Sequence, residues 1–223
     1  MNVLHLVIAM GPLALYGIAL GVIHSSRRPH LTNGTREIYA IALAVSGMVL
    51  IGPATMFMPE AVAERLGAGS WNMVAVWCFL MVAYLMLVTL IILLVRPRLV
   101  AYNITHVRLR ETLEQLLVRY DVEHQWAGDC LAIPSLGVQL QIEPSRAMRP
   151  ISLIATSGPQ SDQGWRRLER ALAAELQQID VTPATGGAIF LGAGLLMLAV
   201  LVVSLAMEEP GKIIAALTDL LRP

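Results

Sequence analysis

Four stretches of this chain, at about 3–23, 38–58, 72–95 and 186–207, hold no aspartate, glutamate, lysine or arginine. No other feature restricts the fold as tightly. A helix rises 1.5 Å per residue, so roughly 20 apolar residues cross the ~30 Å hydrocarbon core of a bilayer. Each stretch meets that length, and the sequence predicts four transmembrane helices. Composition agrees: 56% of residues are hydrophobic and 14% charged, where soluble domains have roughly 45–50% and about 25%. The first stretch has no basic residues ahead of it and a longer apolar run than a signal sequence, so it is read as a retained helix.

Basic residues predict the orientation. The loop between the first two stretches carries Arg27, Arg28 and Arg36 and no acid, and the third stretch ends against Arg96 and Arg98. The loop between the second and third holds Glu60 and Glu64 against Arg65, and Glu208-Glu209 follows the fourth. All four connections predict both termini outside an inner cell membrane and 96–185 in the cytoplasm. Two Asn-X-Thr sequons, at Asn33 and Asn103, fall on the predicted cytoplasmic side and are read as chance.

The section 96–185 reads as an inserted α/β domain. Strands are expected at Leu99–Thr105, Val122–Trp126, Cys130–Ile133, Val138–Glu143 and Ile151–Thr156. A helix over 107–120 would turn Leu109, Leu113, Leu116, Leu117 and Tyr120 to one face, and a second over 163–179 would bury Trp165, Leu168, Leu172, Leu176 and Ile179. Ser161 or Asp162 would cap the second helix. Both apolar stripes are buried if a mostly antiparallel sheet carries the two helices on one face. The segment 208–223 places Ile213, Ile214, Leu217, Leu220 and Leu221 on one helical face, too short to span and suited to an interface. The expected fold class is therefore a four-helix membrane protein with an inserted, small α+β domain.

The segment YDVEHQWAGDC, residues 120–130, is the densest cluster of chemical groups. In a strand, alternate side chains share a face. His124 then sits with Val122 and Trp126, while Asp121 and Glu123 point the other way. A metal site needs three or four converging ligands, and His124 with Cys130 across a hairpin is only a pair. A cysteine nucleophile would also need an orienting group and an oxyanion pocket. An ordinary hairpin is the expected reading, with a His124–Cys130 site as its alternative.

Three further features are candidates. Gly11-Pro12 and Gly52-Pro53 would kink the first two membrane helices near the outer leaflet, where Met10, Met56, Met58, Met73 and His5 gather. Thioether and imidazole suit Cu(I), but methionine also fills irregular gaps beside kinks, and gap filling is the preferred reading. Small residues recur at Gly17, Gly21, Ala40, Ala44, Gly47, Gly187, Gly192 and Gly194. They suit close helix packing, either within the chain or against partner helices. Arg166, Arg167 and Arg170, with Arg146 and Arg149, could meet anionic headgroups, although Glu169 and Glu175 interrupt them and favour a solvated face.

Charge is balanced at 16 basic and 16 acidic residues, so no nucleic-acid partner is expected. The spans carry no acid or base of the kind ion-coupled transporters and pumps use. His5 and His24 lie at opposite ends of one helix and cannot clamp a haem. No Walker loop, GxSxG, HExxH or CxxC occurs in the chain. No enzyme activity, cofactor or metal is expected. The expected role is an accessory or scaffold subunit among other membrane proteins in the bilayer, with Gly17, Gly21, Gly192, Gly194, Leu217 and Leu221 as packing residues. The alternative is a membrane-anchored sensor or binder of a small molecule or metal, and a weaker third reading is an enzyme using His124 and Cys130.

Overall fold

Periodicity separates two kinds of helix in this chain. Helices α1 (Val3–Ser25), α2 (Gly34–Phe57), α3 (Ser70–Leu94) and α6 (Gly186–Met207) are apolar around most of their circumference, whereas α4 (His106–Arg119) and α5 (Asp162–Leu176) are amphipathic. In the computed structural model these join six strands: β1 (His30–Asn33), β2 (Arg98–Tyr102), β3 (Gln125–Ala127), β4 (Cys130–Ile133), β5 (Val138–Pro144) and β6 (Ile151–Ala155). The structure describes residues 3–57, 70–144, 150–156, 158–181, 186–209, 211, 212 and 214, and the side chains of 50, 52–57, 70–77 and 144 are not described. The chain is a mixed α+β protein divided into two units. One comprises Met1–Leu20, Tyr39–Leu93 and Phe190–Pro223, and the other Gly21–Ile38 and Leu94–Ile189.

Among the described residues two helices are long and apolar enough to cross a membrane, α1 and α6. In α3 the qualifying apolar stretch is shorter, Cys78–Leu94. The second expected span corresponds to α2, which starts at Gly34 rather than 38 and so takes Arg36 and Glu37 into its first turn. Asn33 explains the earlier start, because its Oδ1 accepts from the Thr35 backbone N–H at 3.1 Å. Within the helical unit Tyr84 donates its hydroxyl proton to the Ala42 carbonyl, an interhelical hydrogen bond between α3 and α2.

The second unit holds one antiparallel sheet in the order β1-β2-β6-β5-β4-β3. Its inward row Trp126–Leu131–Leu140–Ala155 crosses four strands in register, and Leu99–Leu153–Ile142 runs parallel to it. Leu109, Leu113 and Leu117 from α4 and Trp165, Leu168 and Leu172 from α5 complete one core on that face. Thr105 caps α4 and Ser161 caps α5, each accepting a backbone N–H three residues on. Gly164 lies against the backbone of the 3-10 turn Pro134–Leu136, where an added Cβ would overlap the Leu136 carbonyl.

Two sequence expectations need correcting here. The loop 24–36 is not wholly a loop: His30–Asn33 pairs with β2 and forms a sixth strand at the sheet edge. Four residues with one inward apolar side chain, Leu31, are too short for alternation to show. Tyr120 does not join the α4 face, and it is exposed. The helix stops one residue earlier in a Schellman motif, with Asp121 at φ 50° and the Val122 N–H donating to the Leu117 carbonyl at 3.0 Å.

Candidate functional site

The segment 120–130 is divided by its own backbone. Asp121 ends a helix. His124 lies before β3, with Nδ1 2.9 Å from the Val122 carbonyl oxygen. Gly128, at φ 64°, and Asp129 make the two-residue turn between the paired residues Ala127 and Cys130. Cys130 lies opposite Ala127 and Gln141, on the outer face of the sheet, while Trp126 and Leu131 share the core face. The register fixes Cys130 on the outer face, and His124, which precedes β3, lies outside that register. Among the described residues no group of three or more His, Cys, Asp or Glu side chains is placed to hold a metal.

Asp129 makes a different constellation, which periodicity alone did not suggest. Its Oδ1 stands 3.2 Å from His106 Nε2 and 4.0 Å from Arg110 Nη1. The Arg110 guanidinium lies 4.6 Å from the centroid of the Trp126 ring. His106 and Arg110 are four apart on α4 and so share a face. That spacing was the available signal, but the partner on the hairpin turn was not readable. The Trp126 Nε1–H is buried with no hydrogen-bond partner among the described residues. The group ties the hairpin to the first turn of α4 by charge and stacking, and it sets no nucleophile beside the imidazole.

A second polar network lies where β1 runs into α2. Glu37 accepts from Arg98 Nη2 at 3.0 Å and from the Tyr102 hydroxyl at 2.9 Å. Arg98 reaches it across Gly34, where a Cβ would overlap the Arg98 side chain. His24, 3% exposed, packs edge-on against Tyr102 with ring centroids 5.4 Å apart. Asn103, at φ 59°, donates from Nδ2 to the Ile23 and Ser26 carbonyls and so caps the end of α1. No sequence pattern joins Glu37 to residues 61 and 65 positions away.

Two open clefts occur in the same unit. One, of about 510 Å³, is lined by Ser26, Arg28, His30 and Gln177 with Val22, Ile23 and Leu31. The other, of about 470 Å³, is lined by Arg96, Thr156, Gln160 and Asp162. Arg166 and Arg170 are exposed on α5, joined by a bond from Arg170 Nε to the Arg166 carbonyl, while Arg146 and Arg149 lie outside the described residues.

The small residues of the membrane-type helices behave in two ways. A Cβ on Gly17 would stand 3.6 Å from the Gly194 Cα, and one on Gly194 would come within 2.8 Å of the Ile18 backbone nitrogen. These two glycines let α1 and α6 touch. A Cβ on Gly47 would overlap the Ile8 carbonyl. Gly21 is buried, whereas Gly192 is exposed with nothing within 4 Å of an added Cβ. The Met56 side chain, Met58, Leu217 and Leu221 lie outside the described residues.

Comparison with protein-family models, with curated proteins and with solved structures gives no match to this chain.

Proposed function

We propose that the chain is a non-catalytic, multi-pass membrane protein that serves as an accessory or scaffold subunit of a larger membrane assembly. The exposed apolar surface of α3 and α6 carries this reading. Phe79, Met86, Leu93 and Leu94 are 69–77% exposed, as are Ile189 and Leu196 at 73% and 68%. Side chains of this size leave water only against lipid or protein. With α2 and α3 joining α1 and α6 as spans, the arginines of 24–36 and 96–98 support a topology with the sheet unit in the cytoplasm and both termini outside an inner membrane.

Gentle solubilisation and mass spectrometry test the role. A scaffold subunit emerges with other membrane proteins in fixed ratio, and a clean monomer with native-like stability counts against it. A reporter joined near residue 160 tests the topology, and an extracytoplasmic signal there would reverse it. The second reading, a membrane-anchored binder, is favoured by the cleft beside Arg28, which has the size of a small-ligand site.

A further inference from the structure

We infer that the cleft at the end of α1 binds the phosphate headgroup of an anionic phospholipid. The inference rests on α1 crossing the bilayer. At 23 residues α1 is about 34 Å long, enough for the hydrocarbon core, so its last turn and the residues after it fall at headgroup depth. That is where the cleft opens. Val22 and Ile23 line it on the helix side, and Ser26, Arg28, His30 and Gln177 supply its polar groups. None of its lining residues is acidic.

The bonds that fix the walls do not involve the Arg28 guanidinium. The Val181 N–H donates to the Arg27 carbonyl at 2.7 Å, which joins the loop to the segment after α5. Ser26 Oγ accepts from the Arg28 N–H at 3.2 Å, leaving its own hydroxyl proton available. An arginine after a helix commonly satisfies the last carbonyls. Here Asn103 Nδ2 does so for Ile23 and Ser26. On the opposite wall the Gln177 N–H meets the Ala173 carbonyl, so neither helix end calls on the guanidinium. The Arg28 guanidinium is thus a permanent charge over a preformed cleft, with the planar fork that matches phosphate oxygens. A phospholipid fits both halves of the lining: phosphate against Arg28 and Ser26, and the first acyl carbons along Val22 and Ile23.

Native mass spectrometry of the full chain in mild detergent tests this by titration with dioleoyl phosphatidylglycerol, with dioleoyl phosphatidylcholine as the zwitterionic control. One phosphatidylglycerol should bind in preference to phosphatidylcholine, and Arg28→Ala should weaken it about tenfold, as loss of a charge-assisted phosphate contact implies. Gln177→Leu should weaken it less. Arg166→Ala, which removes an equal charge elsewhere, should leave it unchanged. Equal binding by Arg28→Ala and the parent overturns the site, as does equal loss in Arg166→Ala, which would reduce the effect to general surface charge. Competition by inorganic phosphate or glycerol phosphate at the lipid's own concentration overturns the lipid assignment in favour of a free phosphate. Alkaline carbonate extraction of native membranes separates this from the reading it rests on. Release of the protein sinks the spanning reading and the lipid site with it, whereas retention with unchanged lipid binding in Arg28→Ala sinks the lipid site alone.

Discussion

Leu113 of the amphipathic α4 and Leu93 of the apolar α3 are the same residue type, yet one is 0% and the other 77% exposed. The contrast extends to the units that contain them. In the sheet unit, leucines at 99, 109, 117, 131, 140 and 153 are all within 1% of full burial. In the helical unit many large apolar side chains lie on the outside, and the buried residues among those described include the small Ala9, Ala14, Ala44 and Gly194 beside Ile51, Val88 and Leu201. The first unit satisfies its hydrophobic side chains internally by pairing amphipathic helices with one sheet face. The second brings backbones together at small residues and leaves its bulk to its surroundings, as membrane helices do. Stability should therefore respond to opposite substitutions in the two units.

The largest effect tests that contrast directly. Leu113→Ala should destabilise the sheet unit by about 2–5 kcal/mol, because a cavity opens in a closed core. Leu93→Ala, which removes the same atoms from an exposed position, should stay within about 0.5 kcal/mol. Thermal unfolding of the detergent-solubilised protein, followed by the fluorescence of its four tryptophans, gives both values. Similar shifts for the two variants would break the comparison.

The next effect sharpens it inside one helix. Gly194→Ala forces α6 away from Ile18 and Ala14, and overpacking of this kind costs about 1–3 kcal/mol. Gly192→Ala meets nothing and should be neutral or gain up to about 1 kcal/mol from helix propensity. A midpoint lowered by Gly192→Ala would show that this open face is covered in the assembled protein.

How much of this was legible follows the same division. The stripes 109/113/116/117 and 165/168/172/176 could be read because each helix is long enough for a 3.6-residue period to repeat. Strand β1 could not, since its four residues carry one core side chain and its pairing partner lies some seventy residues on. Tyr120 fits the α4 spacing but follows the last helical residue, and Asp121 gives no glycine to announce the left-handed cap. Alternation within 120–130 matches the alternating exposure of residues 121–127, but of the expected strand Val122–Trp126 only Gln125 and Trp126, with the neighbouring Ala127, are paired. The Asp129–His106–Arg110 group was missed because tertiary packing, not spacing, brings a turn to a helix N-terminus.

The Glu37 network ranks third. Glu37→Ala removes the acceptor for both Arg98 and Tyr102 and should cost about 1–2 kcal/mol, discounted from a fully buried pair because both side chains are partly solvated. The loss should appear in the sheet unit, since β1 and β2 meet there. Tyr102→Phe, which removes one of the two bonds, should cost less. An unfolding midpoint for Glu37→Ala equal to the parent's would mean that β1 is held by its ladder alone.

Arg119 and Glu175 pair between α4 and α5, and theirs should be the smallest effect of the series. The Arg119 side chain is 61% exposed and the Glu175 side chain 18%, so water and salt screen most of the attraction. Arg119→Ala should therefore cost no more than about 1 kcal/mol, and less as salt rises, because exposed pairs also lose side-chain entropy in forming. The two helices are held instead by Leu113, Leu117, Leu168 and Leu172 beneath the pair. If Arg119→Ala approached Leu113→Ala in effect, the sheet unit would depend on its surface as much as its core. The distinction between a unit that closes on itself and one that needs its surroundings would then fail at its better-defined half.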